Sequence, residues 1–162
     1  MRNAGATIPG ADSVIDGPQN TADMVSDGSS TVYPAAYFCN SLTVAGYTDW
    51  YMPAKNELEV CYYNLKPTTV NNNFDSGSGI NPNAVPARAS GYTTGTPTQT
   101  SATDFQSTGA EDFQNNRYWT STESAPVIGI SSGWAGDFYN GQQTQYTKIY
   151  PIRVRAIRRV AV

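Results

Sequence analysis

The hydrophobic pattern of this chain changes character three times. Residues 1–30, MRNAGATIPGADSVIDGPQNTADMVSDGSS, carry apolar side chains only as singles or pairs among Gly, Asp and Ser. That spacing predicts an irregular lead-in with one helical turn near Thr21 to Val25. In YPAAYFCNSL, Ala35, Ala36, Cys39 and Leu42 recur at helical spacing and Pro34 suits a first turn, which predicts a first helix. A second helix is expected from Ala54 to Leu65, where Leu58, Cys61, Tyr62 and Leu65 stand at i, i+3, i+4 and i+7 and Lys66-Pro67 ends the run. Its start carries half a capping box. Glu57 can reach back to the Ala54 amide, but alanine has no hydroxyl with which to return the bond.

Residues 68–116 turn to Asn, Ser, Thr and Gly, with short apolar contacts at Phe74, Val85 and Phe105. So long a loop in a folded domain has a purpose or partial order, and a short helix around Ala102 to Phe113 would supply some. The last third alternates with period two: RYWTSTE, then GWAGDFYNGQQTQYTKI turning at Asn140-Gly141, then PIRVRAIRRV. These predict antiparallel strands. Helices first, loops second and sheet last make an α+β chain, with a lead-in over 1–30 and a single domain over 31–162. There is no internal repeat and no heptad pattern that would trimerise the domain by itself.

Composition narrows the chemistry. Charged residues are 14% of the 162 and aromatics 12%, with eleven tyrosines, so the surface rests on amides and hydroxyls. The net charge is −3, and four of the ten basic residues (Arg153, Arg155, Arg158, Arg159) lie in the last predicted strand, which leaves no basic stripe for nucleic acid. The absence of histidine removes the usual general base and the commonest transition-metal ligand. No apolar run is long enough to span a membrane, and the first residues lack the apolar centre of a signal peptide.

The carboxylate pairs Glu57 with Glu59 and Glu111 with Asp112 are two apart or adjacent, so neither is preset on one helix face as an acid/base couple. Ser121, Thr122 and Glu123 place a hydroxyl beside an acid, but no histidine or lysine stands by to activate it. NNNFDSGSGIN offers oxygen ligands but a single carboxylate, Asp75, and no EF-hand spacing, which favours a loop held by Asn side chains over a calcium site. Cys39 and Cys61 each fall on a predicted apolar helix face and read as buried thiols; whether they come close enough to bond is left open. No metal and no cofactor is expected.

Trp119 and Trp134, on predicted strands, read as core. Aromatic faces beside amides suit sugar rings, and Tyr139, Asn140, Gln142 and Gln143 around the turn are the candidate exposed contacts, joined in the loops by Asn72, Asp75 and Tyr92. Arg155, in a half-buried strand, calls for a carboxylate partner, Glu57 or Glu123.

Together AAYFCNSL, GYTDWYMPAKNEL, YWTSTE, the GW before DFYNG, and RVRAIRR resemble the Lcl C-terminal-like domain family over residues 35–159. YYNLKPTT, AVPARAS and QTSATDFQ resemble the versions found in tailed-phage virion proteins. The resemblance implies a C-type-lectin-like fold, two helices packed on antiparallel strands with long loops, defined by Trp50, Pro53, Glu57, Trp119, Glu123, Trp134 and Arg155. It implies an adhesive or structural module without a shared catalytic centre. Ala54 departs from the usual cap hydroxyl and Tyr51-Met52 from the common Arg-Leu. The calcium motifs of sugar-binding lectins are absent. Met1 is either the start of a compact variant or a point within a longer chain.

The expected function is a non-enzymatic protein of the phage virion surface, a fibre or decoration protein that attaches to the host as a homo-oligomer within an assembly. Its partners would be other virion proteins and a host surface glycan or protein, with no nucleic acid and no membrane insertion. The rivals are an architectural capsid, tail or filament protein that binds only its neighbours, and a secreted bacterial adhesin.

Overall fold

A helix stands where the apolar pattern predicted an irregular lead-in. In the computed structural model, which describes residues 10–74, 77–124 and 131–160, α1 runs over Gly17–Asp27. Asp16 caps it, its carboxylate accepting from the Gln19 amide at 3.3 Å, and Pro18 sits in the first turn. Its buried face is Gly17, Asn20, Thr21 and Met24, a full helical stripe in which one side chain is strongly apolar. Thr21 accepts from the Met52 amide at 3.1 Å, and Asn20 donates to the Ser13 carbonyl at 2.7 Å and to the Ser121 hydroxyl at 3.2 Å. The polar stripe is buried because each member is hydrogen-bonded, which no periodicity of hydrophobic residues reveals.

The two expected helices follow as α2, Pro34–Asn40, and α3, Lys55–Leu65. Ala35, Ala36 and Cys39 are the buried face of α2. The joint between them turns at Ala45 and Gly46, both at positive φ, inside a two-way hydrogen-bonded bridge from Val44 to Tyr47. Ala54 makes no side-chain cap, and the first amides of α3 are met from elsewhere in the chain. Thr122 accepts from the Lys55 amide at 2.9 Å, and the Val14 carbonyl accepts from the Asn56 amide at 2.8 Å.

Strands β1, Arg117–Glu123, β2, Ser132–Asp137, and β3, Gln143–Thr147, form an antiparallel sheet in the order β1-β2-β3. The β1–β2 register runs from Arg117 opposite Asp137 to Trp119 opposite Ala135, then resumes at Glu123 opposite Gly133. Thr120, Ser121 and Thr122 lie in the bulge between, and they turn to other partners: Ser121 donates its amide to the Pro53 carbonyl, and Thr122 its hydroxyl to the Ser13 carbonyl. Alternation along β1 divides the core. Trp119 joins Met24, Tyr33, Ala36, Cys39 and Met52 on the α1–α2 side, while Tyr118 joins Leu58, Tyr62, Tyr92, Phe113 and Phe138 on the α3 side.

Other expectations are corrected. The predicted helix from Ala102 to Phe113 reduces to one 3₁₀ turn, Thr103–Phe105. PIRVRAIRRV forms no strand of the sheet: it touches β1 through one bridge, Arg153 to Tyr118, and the segment before α3 through another, Ile157 to Tyr51. Arg155 pairs with Glu111 at 2.5 Å and neither with Glu57 nor with Glu123. Arg158 forks onto Asp49 at 2.8 and 3.0 Å, Arg159 meets Glu57 at 2.8 Å, and Glu123 is held by Lys148. Trp134 is half-buried, since it points from the face opposite Ala135 with the Lys55 ammonium 4.1 Å over its ring; Trp119 is core as expected. Trp50, at the joint, is also half-buried, its indole donating to the Tyr47 carbonyl at 3.1 Å, so it braces the turn more than it fills the core.

Candidate functional site

The two acids of α3 are structural hubs. Glu57 accepts from the Ala54 amide at 2.8 Å, the Gly17 amide at 3.1 Å, the Tyr51 hydroxyl at 2.9 Å and Arg159, so it ties three chain segments to the start of α3. Its capping reach was legible; its other partners were not. Glu59 is fully buried and holds Arg88, the Asn81 amide at 2.6 Å and the Tyr92 hydroxyl at 2.7 Å. Burial, then the Glu59 charge and its hydrogen bond, push the Tyr92 hydroxyl well above its usual pKa. Arg88 in turn lies 4.0 Å over the Tyr63 ring.

Asparagine side chains hold the loop, as the sequence suggested. Asn81 bridges Glu59, the Asn56 carbonyl and the Asn83 amide. Asn72, also buried, accepts from Tyr62 at 2.7 Å and donates to the Thr93, Thr94 and Pro97 carbonyls. The proposed ligand contacts Asn72 and Tyr92 are therefore corrected: both are inside, and their polar atoms bond the protein itself. Asp75 lies outside the described residues.

Four candidates come together at the β2–β3 turn. Asn140 accepts from the Gln142 amide at 3.1 Å, and its carbonyl accepts from the Asn73 amide at 2.7 Å, stitching turn to loop. Gly141, at φ +77°, approaches Tyr62 and Tyr92 so closely that an added Cβ would meet their rings at 2.3 and 2.8 Å. Gln142 is half-buried. Gln143 bonds Ser78 and the Lys55 carbonyl, at 3.2 and 3.3 Å, and is likewise half-buried. Tyr139 is 50% exposed. Its counterpart across the stitch is a residue the hydrophobic pattern assigned to local packing: Phe74, next to Asn73, is 62% exposed, and Val85 is almost wholly so. Two exposed aromatic residues thus stand next in sequence to the two partners of the hydrogen bond between loop and turn. Such a surface can stack against an apolar or sugar CH face and bond its polar groups.

The hydroxyls and the acid of the Ser121-Thr122-Glu123 run are buried. Ser121 and Thr122 serve Asn20 and Lys55, and Glu123 serves Lys148. Cys39 and Cys61 are free thiols, and burial pushes each up to about 12. No helix among the described residues is long and apolar enough to cross a membrane.

Helices packed on an antiparallel sheet, with a long loop tied to the sheet's turn, define an α+β domain. The sequence model of the Lcl C-terminal domain matches residues 16–158, and the chain belongs to that family. The match begins at the cap of α1, so the family unit includes the helix that the apolar pattern hid. No curated protein and no solved structure matches the chain.

Proposed function

We propose that the chain is a non-enzymatic, C-type-lectin-like module on the surface of a phage virion, a fibre or decoration protein that attaches the particle to a host surface glycan or protein. The observation that carries the reading is the Phe74–Tyr139 surface: two exposed rings on segments locked together by the Asn73–Asn140 hydrogen bond. Rigid, exposed aromatics beside amides lose little entropy on binding. The carboxylates of α3 support a non-enzymatic role because both are engaged in holding the fold. The phage setting rests on the resemblance of YYNLKPTT, AVPARAS and QTSATDFQ, and the lectin-like fold on the helices, sheet and long loop.

A weak site repeated on a particle gives strong attachment through effective concentration. The isolated domain should bind host cells weakly and the assembled form strongly. Phe74→Ala with Tyr139→Ala, in the assembled form, should abolish cell binding without lowering the melting temperature. Undiminished binding by that variant would remove this surface from the proposal and leave the architectural reading in its place.

A further inference from the structure

The four arginines of the closing segment differ in one respect. Arg155, Arg158 and Arg159 each have a carboxylate and an aromatic ring: Glu111 and Phe113, Asp49 and Tyr47, Glu57 and Tyr51. Arg153 is exposed, and among the described residues its guanidinium has no hydrogen bond, ion pair or stacked ring. Its backbone is fixed all the same, for its carbonyl accepts from the Trp119 amide at 2.8 Å.

Arg153 sits where two clefts adjoin. One, of about 420 Å³, lies between α2 and residues 148–154; the other, of about 370 Å³, continues toward Gln114 and Tyr118, and the two share Phe38, Arg153 and Val154. Around them Phe38 is 51%, Ile149 64% and Tyr150 55% exposed, although Phe38 lies on a helix whose other face is core. Three large apolar side chains left open on one groove, with a bare cation at its middle, are the usual signs of a surface that another molecule covers. The cations nearest the ends are already neutralised: Lys148 by Glu123 and Arg155 by Glu111. The Asp112 carboxylate beside the second cleft accepts from the Thr108 amide at 3.0 Å. Asp112 keeps its own charge there, but the lining of the first cleft holds no carboxylate, so the unpaired charge that an incoming group meets in it is that of Arg153.

We propose that this groove docks an extended segment of a different protein chain in which an Asp or Glu, flanked by apolar side chains, forks onto Arg153 while its neighbours cover Phe38, Ile149 and Tyr150. Aliphatic lining from Pro151, Ile152 and Val154 suits peptide side chains better than sugar rings, which need flat aromatic faces and amides. The groove shares no residue with the Phe74–Tyr139 surface. One face can therefore mount the domain on a neighbouring protein while the other stays free.

The test selects a random nonapeptide library on the intact chain, then measures a selected peptide by calorimetry. The pool should carry an Asp or Glu between apolar residues. Affinity should fall tenfold or more with Arg153→Gln, and by the same factor when the peptide's acid becomes its amide, with no further loss when both are changed. Phe38→Ser and Ile149→Ser should weaken the acidic and amide peptides equally. Arg153→Gln should melt with the parent chain, since that side chain holds nothing. A pool without acids, equal affinity for Arg153→Gln, or Arg153-dependent binding of a sulfated oligosaccharide instead of peptide overturns the proposal, as does Arg153-dependent self-association in sedimentation. Loss of host-cell binding by the Phe74 and Tyr139 variant bears on the other face alone, so the two readings fail separately.

Discussion

Glu57 and Glu59 lie two positions apart on α3, and each accepts a tyrosine hydroxyl and an arginine, yet their surroundings differ. The Glu57 carboxylate sits at the edge, 15% exposed, and draws on backbone amides from two segments and on Arg159, itself 53% exposed. Glu59 is 0% exposed and faces Arg88, 14% exposed, inside the loop region. The first acid joins helices to each other and to the tail; the second anchors a polar loop to a helix. Water can take over much of what Glu57 does, and none of what Glu59 does.

The largest test of that contrast is Glu59→Gln, which leaves Arg88 enclosed without a counter-charge. Urea denaturation should show a loss of about 3 kcal/mol or more. A Glu59→Gln, Arg88→Met double variant should recover most of it, because the uncompensated charge is gone while the glutamine carbonyl still accepts from Asn81 and Tyr92. If the double variant is as unstable as the single one, the pair is worth more than its burial implies.

Next in size is Gly17→Ala. An added Cβ would stand 2.4 Å from a Glu57 carboxylate oxygen and 2.6 Å from the Tyr51 ring, so α1 must move from the hub. Overpacking of this kind costs about 1–3 kcal/mol. Stability equal to the parent would mean that the Glu57 hub yields easily, and would weaken the claim that it positions α1.

Alkaline pH reads both hubs at once. Burial first and the neighbouring glutamate second raise the pKa of Tyr51, beside Glu57, and of Tyr92, beside Glu59. Below about pH 10 both tyrosines are protonated whether folded or not, so their contribution is complete. Above it the unfolded chain ionises first, and stability falls by up to about 1.4 kcal/mol per pH unit for each. Tyr92→Phe and Tyr51→Phe should each relieve one tyrosine's share of this loss, and by equal amounts while both stay protonated in the folded chain, measured as urea midpoints at pH 9 and 11. The smallest effect belongs to Arg159→Gln, a change of about 0.5 kcal/mol that shrinks in high salt, since its partners are near water.

The Glu57 hub was partly legible because capping is local: a glutamate three residues into a helix can reach the first amide whatever lies around it. The Glu59 hub was not, since Arg88 and Tyr92 come to it from 29 and 33 residues away. The same divide runs through the candidate site. The turn at Asn140-Gly141 was readable from its two residues, and so was the exposure of Tyr139. Asn72 and Tyr92 carry the same chemistry as surface ligands, and only their burial shows that they serve the fold. Phe74 is the reverse case, an apolar residue in a polar run that remains outside while its neighbour Asn73 is bonded to the turn at Asn140.

What the sequence by itself determined was whatever depends on neighbours in the chain: α2 and α3 by their apolar stripes, the start and end of β1, the hairpin turn, and an α+β order of elements. The tertiary structure alone decided which polar groups are inside. It made a helix of a stripe containing Asn20 and Thr21, brought Thr122 to the Lys55 amide at the start of α3, and gave every closing arginine but Arg153 a partner among the described residues. The reason is physical: burying an apolar group is favourable whatever surrounds it, whereas a polar group can be buried only where a specific partner arrives from elsewhere in the chain.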